Sequence, residues 1–333
     1  MRRTPILAAI AATASALLLV SGASTAQANP ALAPTGAVGQ PAAVTADQQA
    51  AVLDHWTSER MRAAVPIAEL AGDLVGDAPA GPAPTVGAPT VIAPTVAAEP
   101  AEASLLAFPH SGGAWNAGGA VTQTAGRVFF TYQGQSSSCS GNAVTSTNGS
   151  TVMTAGHCIK LNGSFHTNWV FVPGYHNGND PYGTWPAVQT FITPQWNASE
   201  NINFDIGAVV VGTVGGQRLT DVVGGQGVAF NQSRGAAMYA FGYPAASPYN
   251  GSQLIYCSGN TFNDPLFTTA IGMTCNMTGG SSGGPWFRSF NESTGTGIQN
   301  SVNSFGYIFF PNRMFGPYFG SEGQAVYNTA QSA

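Results

Sequence analysis

GMTCNMTGGSSGGPW, residues 272–286, sets two adjacent serines in a run of glycines. Alone it has two readings. Glycine and serine are common loop formers, and Gly280-x-Ser282-x-Gly284 also fits the G-x-S-x-G turn that exposes a hydrolase nucleophile. A base, an orienting carboxylate and their order along the chain separate the two.

Candidates for those partners are few. Beyond residue 105 the histidines are His110, His157, His166 and His176. His157 stands in TVMTAGHCIK, where an apolar strand closes on a cysteine, whereas His166 and His176 lie among Asn, Gly and Thr and read as loop residues. An isolated histidine is usually structural; the neighbours of His157 set it apart. Asp205 is the odd carboxylate, in NFDIGAVVVG at the entry to an apolar strand. It is either a turn residue facing water or a buried group, and burial is costly unless imidazole and backbone N–H groups donate to it. Ser282 then completes a set in which His157 is the general base, Asp205 holds its tautomer and Ser282 attacks. Backbone N–H groups of Gly280 and Ser282 would form the oxyanion hole. Ser282 is preferred to Ser281 because Gly283-Gly284-Pro285 follows it. An α/β-hydrolase places its serine before its acid and histidine. No histidine follows His176, so that reading falls, and the order His157, Asp205, Ser282 is that of the double-barrel peptidases.

The texture of the chain agrees. From about Gly118 onward, RVFFTYQ, NWVFVPGY, FDIGAVVVG, AAMYAFGY and NSFGYIFF carry β-branched and aromatic residues in short bursts. Asn–Gly and Gly–Gly turns divide them, with no long helical pattern. We expect an all-β domain over 106–330, built as two packed six-stranded antiparallel barrels with the active site in the cleft between them. Residues 29–105 differ: Pro, Ala and Gly tracts that cannot build a core flank one short helical pattern. In that pattern Val52, Trp56, Met61 and Ala64 recur at roughly helical spacing, Thr45 or Asp47 could cap, and Pro66 ends it. It reads as a leader or propeptide. Before it, Arg2-Arg3, an apolar run from Pro5 to Val20 and Ala26-Gln27-Ala28 read as an export signal over 1–28, cleaved after Ala28. The product is expected outside the cell, without stable membrane association.

Four cysteines, all beyond the signal, suit an oxidising compartment and allow three pairings. The favoured pairs are Cys139–Cys158 and Cys257–Cys275. Each closes a loop of about 20 residues, for about 3 kcal/mol by the loop-entropy estimate. No cysteine pair has the close spacing of a structural zinc site. Charged residues are only 8% of the chain and net charge is −5, so ten Lys and Arg cannot form a basic face for nucleic acid.

These residues resemble the chymotrypsin-like (trypsin-like) serine peptidases, and specifically secreted bacterial members near the glutamyl-endopeptidase branch. Thr154–Cys158 (TAGHC) resembles the family's TAAHC box, with Cys139 as the family's disulfide partner. Asp205-Ile206 resembles the D-I-A strand start, Gly280–Pro285 resembles GDSGGP, and Asn303–Gly306 (NSFG) resembles the strand lining the substrate cleft. The likeness covers roughly 115–325. The phrase DHWTSERMRAAVP also resembles propeptides of actinobacterial relatives. Two departures matter. Ser281 stands where trypsin has the aspartate that pairs with a freed N-terminus, and a serine cannot form that ion pair. By the same resemblance the pocket involves Asn276, Met277, Asn303 and Ser304. Asn276 replaces the carboxylate that selects Arg or Lys, while Asn303 and Met277 replace glutamate-binding groups. The resemblance therefore implies a secreted endopeptidase acting on protein or peptide substrates, as a monomer and without a metal or organic cofactor, that prefers neutral or apolar side chains. Alternatives are a catalytically silent relative that acts as a binding protein and an esterase on the same fold.

Overall fold

The computed structural model describes residues 1–2, 36–72, 81–96 and 108–333. The expected export signal, apart from Met1 and Arg2, lies outside the described residues, as do the Pro/Ala-rich stretches 73–80 and 97–107. Among the described residues no helix is long and apolar enough to cross a membrane.

Strand Ala125–Tyr132 shows how the sequence sorts itself. Successive side chains of a strand point to opposite faces. Val128, Phe130 and Tyr132 enter one apolar core, whereas Ala125 and Phe129 enter another. Thr167–Pro173 repeats the division, with Trp169 and Phe171 on one side and Val170 and Val172 on the other. These strands are thus a wall with apolar contacts on both faces. The inner core fills a closed barrel. Its six antiparallel strands run Trp185–Ile192, Thr167–Pro173, Ala125–Tyr132, Gln135–Ala143, Thr151–Thr154 and Gly207–Val211, and the last pairs back to the first. The outer core joins that wall to Phe241, Tyr243, Tyr256 and Phe287 of the second half.

That second half is also β, in a seven-stranded sheet and a separate four-stranded one. Beneath them, the Cys257–Cys275 disulfide packs with Met273, Met277, Trp286 and Met314. Both expected disulfides form. The C-terminal helix Ser321–Gln331 is an element that a strand-dominated reading passes over. Only Val326, Tyr327 and Ala330 are its apolar contribution to the barrel core, too sparse a stripe to stand out in the sequence.

Residues 36–72 build no core of their own; they borrow the barrel's. Val38–Pro41 pairs antiparallel with residues 189–192, the half of Trp185–Ile192 that Thr167–Pro173 leaves unpaired. The helical pattern beyond it is two helices rather than one. Ala46–His55 begins with a Thr45/Gln48 capping box, and Thr57 starts a second helix, Ser58–Ala63, by accepting from the Arg60 N–H. Trp56 sits at the break, buried against Phe129, with its indole N–H on the Asn168 carbonyl at 2.6 Å. Packing this large ring overrides helix continuity.

His166 is, as expected, a connecting residue, between strands Ser164–Phe165 and Thr167–Pro173, but its ring is engaged. It stacks on Phe130 at 4.2 Å between centroids, and its Nε2 donates to the His157 carbonyl at 2.9 Å. Burial pushes its pKa from the ordinary 6.5 down to about 4. The unfolded chain then takes up this proton first, so stability is lost as pH falls from about 6.5 towards 4. The melting temperature is expected to drop across that window, and to drop less in His166→Gln. Parallel declines in the two proteins would show that this imidazole does not govern the effect.

Candidate active site

His157 lies in the tight turn Gly156–Cys158 that follows strand Thr151–Thr154, and the Cys139–Cys158 bond ties that turn to Gln135–Ala143. Asp205 ends the turn Ile202–Phe204 just before Gly207–Val211, the strand paired with Thr151–Thr154. Strand pairing therefore brings the two side chains together from 48 residues apart. Both are 0% exposed. Asp205 Oδ1 accepts the His157 backbone N–H at 2.7 Å, and Oδ2 lies 2.7 Å from His157 Nδ1. Ser304 Oγ donates to Oδ2 at 2.5 Å. Three donors make a buried carboxylate affordable where a lone one would not be. Gly156 leaves the space this needs, since a Cβ there would stand 2.8 Å from Trp196 Cγ and 3.1 Å from Asp205 Oδ1.

With Nδ1 facing a carboxylate, the imidazole's remaining nitrogen is Nε2, which is buried and has no hydrogen-bond partner. Ser282 reaches this neighbourhood through backbone. Its carbonyl accepts the Ser140 N–H at 2.7 Å, and Ser140 in turn accepts from Thr154 Oγ1 at 2.9 Å. A Cβ on Gly283 would lie 2.1 Å from Thr154 Oγ1 and 3.0 Å from the Ala155 nitrogen. The serine loop thus presses on the residues that lead into His157. Gly280 and Gly283 adopt φ of +97° and +78°, a region that side-chain-bearing residues rarely enter. Among the described residues neither the Gly280 nor the Ser282 N–H has an acceptor, whereas Ser281, Gly283 and Gly284 all donate.

The four pocket candidates divide. Asn276 is half-buried and accepts from Tyr249 Oη at 2.6 Å. Met277 packs in the apolar cluster around Cys257–Cys275. Ser304 turns to Asp205, and Asn303 is wholly buried with its amide engaged on three neighbours. Sequence reasoning missed what Ser140, Ser304 and His166 do; only the adjacency of Ser140 to Cys139 hinted at the first. As to metal ligands, Cys139, His157 and Cys158 lie close together, yet both sulfurs are spent in the disulfide and offer no thiolate.

N-terminal residues cover this region. Val65–Pro66 runs parallel to Ser137–Ser138, with Ser137 Oγ on the Val65 carbonyl at 3.0 Å. Ile67 is buried in the cluster that holds Cys139 and Cys158. Pro66 and Ala68 lie directly over Gly279, 3.2 and 3.4 Å from where its Cβ would be. Ser282 is left 7% exposed.

No family model matches the chain, and no curated protein does. Solved structures do. A protease from Arthrobacter nicotinovorans, Anisep, is 49% identical over 63% of this chain and 96% of its own, with a TM-score of 0.60. The thermostable serine protease AL20 from an extremophilic microorganism is 44% identical over 64% of this chain and 99% of its own, at 0.61. A Glu endopeptidase solved with MPD is 16% identical over 69% and 100%, at 0.52, a likeness of fold alone. Identity approaching one half along almost the whole of two solved proteases, around a buried histidine–aspartate pair, has one explanation: the chain belongs to the chymotrypsin-like serine peptidases and is a serine-type endopeptidase.

Proposed function

We propose that His157, Asp205 and Ser282 are the catalytic triad of a secreted endopeptidase made as a precursor. The observation that carries this is the bonding of Asp205. By accepting from His157 at both backbone and Nδ1, it leaves the Nε2 lone pair as the only basic site on the ring. In the reaction Ser282 Oγ attacks the scissile carbonyl while Nε2 takes its proton, and Asp205 stabilises the imidazolium. Negative charge on the carbonyl oxygen meets the N–H groups of Gly280 and Ser282. The proton passes from Nε2 to the leaving amine; a water then attacks the acyl carbonyl as Nε2 takes its proton, and Nε2 returns that proton to Ser282 Oγ as the acid product leaves.

The further organisation follows the same reading. The seven- and four-stranded sheets form the second barrel, and the substrate lies in the cleft between the two. Residues 1–28 direct export, 29–105 are the leader and 106–330 the mature peptidase, acting as a monomer. The position of Val65–Ala68 over Gly279 supports a leader that blocks substrate until it is removed. At the pocket, Asn276 offers no charge to Arg or Lys, and Met277 offers none to Glu. The amide of Asn303 is already engaged. A desolvated glutamate would find no cation there, which supports neutral or apolar preference.

Treatment of the processed protein with a serine-reactive phosphonate, mapped by mass spectrometry, is expected to label Ser282, with no label in Ser282→Ala. Label on Ser281, or hydrolysis by Ser282→Ala, would overturn the assignment. Asp205→Asn should lower kcat by about 10⁴-fold, the cost of the wrong imidazole tautomer. A full-length precursor with its processing site blocked should react with the phosphonate more slowly than the mature enzyme; equal rates would remove the blocking role. Digestion of a mixed peptide library is expected to show neutral or apolar residues at the scissile position, and a dominant Glu would refute this view of the pocket.

A further inference from the structure

We propose that Asn303 is a positioning residue that aims the oxyanion-hole donor of Ser282, a role it plays in place of lining the substrate pocket. This rests on the assignment of Ser282 as nucleophile. One residue makes five hydrogen bonds around that serine. The Asn303 backbone accepts the Gly283 N–H at 2.7 Å and donates to the Gly284 carbonyl at 2.8 Å. Its side-chain Nδ2 donates to the Ser281 carbonyl at 2.9 Å and to the Phe241 carbonyl at 2.8 Å. Its Oδ1 accepts the Trp286 indole N–H at 2.6 Å. An indole nitrogen can only donate, so the amide has one sensible orientation, and both its N–H groups are committed to carbonyls.

The bond to Ser281 matters most. A peptide unit is planar and trans, so its C=O and N–H point in opposite directions. The Ser281 carbonyl and the Ser282 N–H belong to the same unit. Fixing the carbonyl on Asn303 therefore fixes the direction of the N–H on the other side, where the oxyanion forms. The neighbouring unit is held likewise, with the Gly280 carbonyl on Ser140 Oγ at 2.9 Å, and Ser281 Oγ on the Thr278 carbonyl at 2.8 Å. Space is kept for the amide: a Cβ on Gly284 would lie 2.8 Å from Asn303 Nδ2, and one on Gly242 3.1 Å. Among the described residues no charged side chain bonds to Gly280–Gly284, so a frame of neutral hydrogen bonds sets the loop. That frame does the work for which Ser281, lacking a carboxylate, cannot recruit an ion pair.

The test compares Asn303→Leu and Asn303→Asp with the mature enzyme on one peptide substrate. Asn303→Leu removes the donors at similar size. It is expected to lower kcat by about 10- to 100-fold, somewhat less than deleting an oxyanion donor outright, with KM little changed. Asn303→Asp is nearly isosteric and carries the test even where the leucine variant does not fold. Protonated, a carboxyl group can still donate to one carbonyl; ionised, it repels both, and burial among carbonyls raises its pKa. Its kcat should therefore fall through a new ionisation that the parent enzyme lacks. Of the titratable groups nearest residue 303, Asp205 (through Ser304) and His157 are shared with the parent, so a new limb belongs to the substituted position. Folded variants with the parent kcat, a raised KM at unchanged kcat, or an Asn303→Asp profile of unchanged shape would overturn the proposal. Activity surviving in Ser282→Ala would instead sink the assignment of the nucleophile.

Discussion

The site depends on one buried carboxylate. Asp205 has no exposure to water, and a charge so placed persists only because three donors meet it. Two come from His157 in the first half of the chain and the third from Ser304 in the second. The same three bonds stabilise the charge, orient the imidazole and join two regions far apart in sequence. Chemistry and fold are coupled here, since whatever places Ser304 also completes the environment of Asp205.

What places these groups is the two-sided burial of the barrel wall. Over most of their length, strands such as Ala125–Tyr132 and Thr167–Pro173 are buried on both faces, so their alternate residues serve an inner core and an outer one. The outer core binds the halves together, and Ser304 of the second half reaches Asp205 of the first. The disulfide from Cys139 to Cys158 then anchors the turn carrying His157 to the strand whose Ser140 holds the Ser282 and Gly280 carbonyls. Bonds to backbone carbonyls rather than long charged side chains hold the serine loop.

Two further features of this chain frame the site. Its serine loop is held by neutral hydrogen bonds from Asn303, Ser140 and Ser281 itself. Its N-terminal residues complete the barrel's open strand edge, insert Trp56 into the outer core and reach over Gly279. A segment too short to build a core of its own packs on the apolar surface and strand edge that the barrel offers.

Much of this was legible in the residues. The strand-rich texture, both disulfides, the family and the meeting of His157 with Asp205 followed from motifs and chain order, because each depends on residue type at fixed spacing. Of the two cap candidates, Thr45 and Asp47, the structure uses Thr45. The partners of Asn303, Ser304, Ser140 and His166 did not follow. No motif showed that Ser304 bonds Asp205, that the Asn303 amide bonds Ser281, or that His166 stacks on Phe130, and the helical pattern before Pro66 read as unbroken. Each of those assignments turns on which groups lie across a core or a cleft, and a serine or asparagine looks the same in sequence whether it faces substrate or a buried carbonyl. The sequence by itself determined which chemistry the chain carries. Only the tertiary structure decided which polar groups were left free to perform it, because hydrogen-bond partners on different strands and loops are chosen by packing.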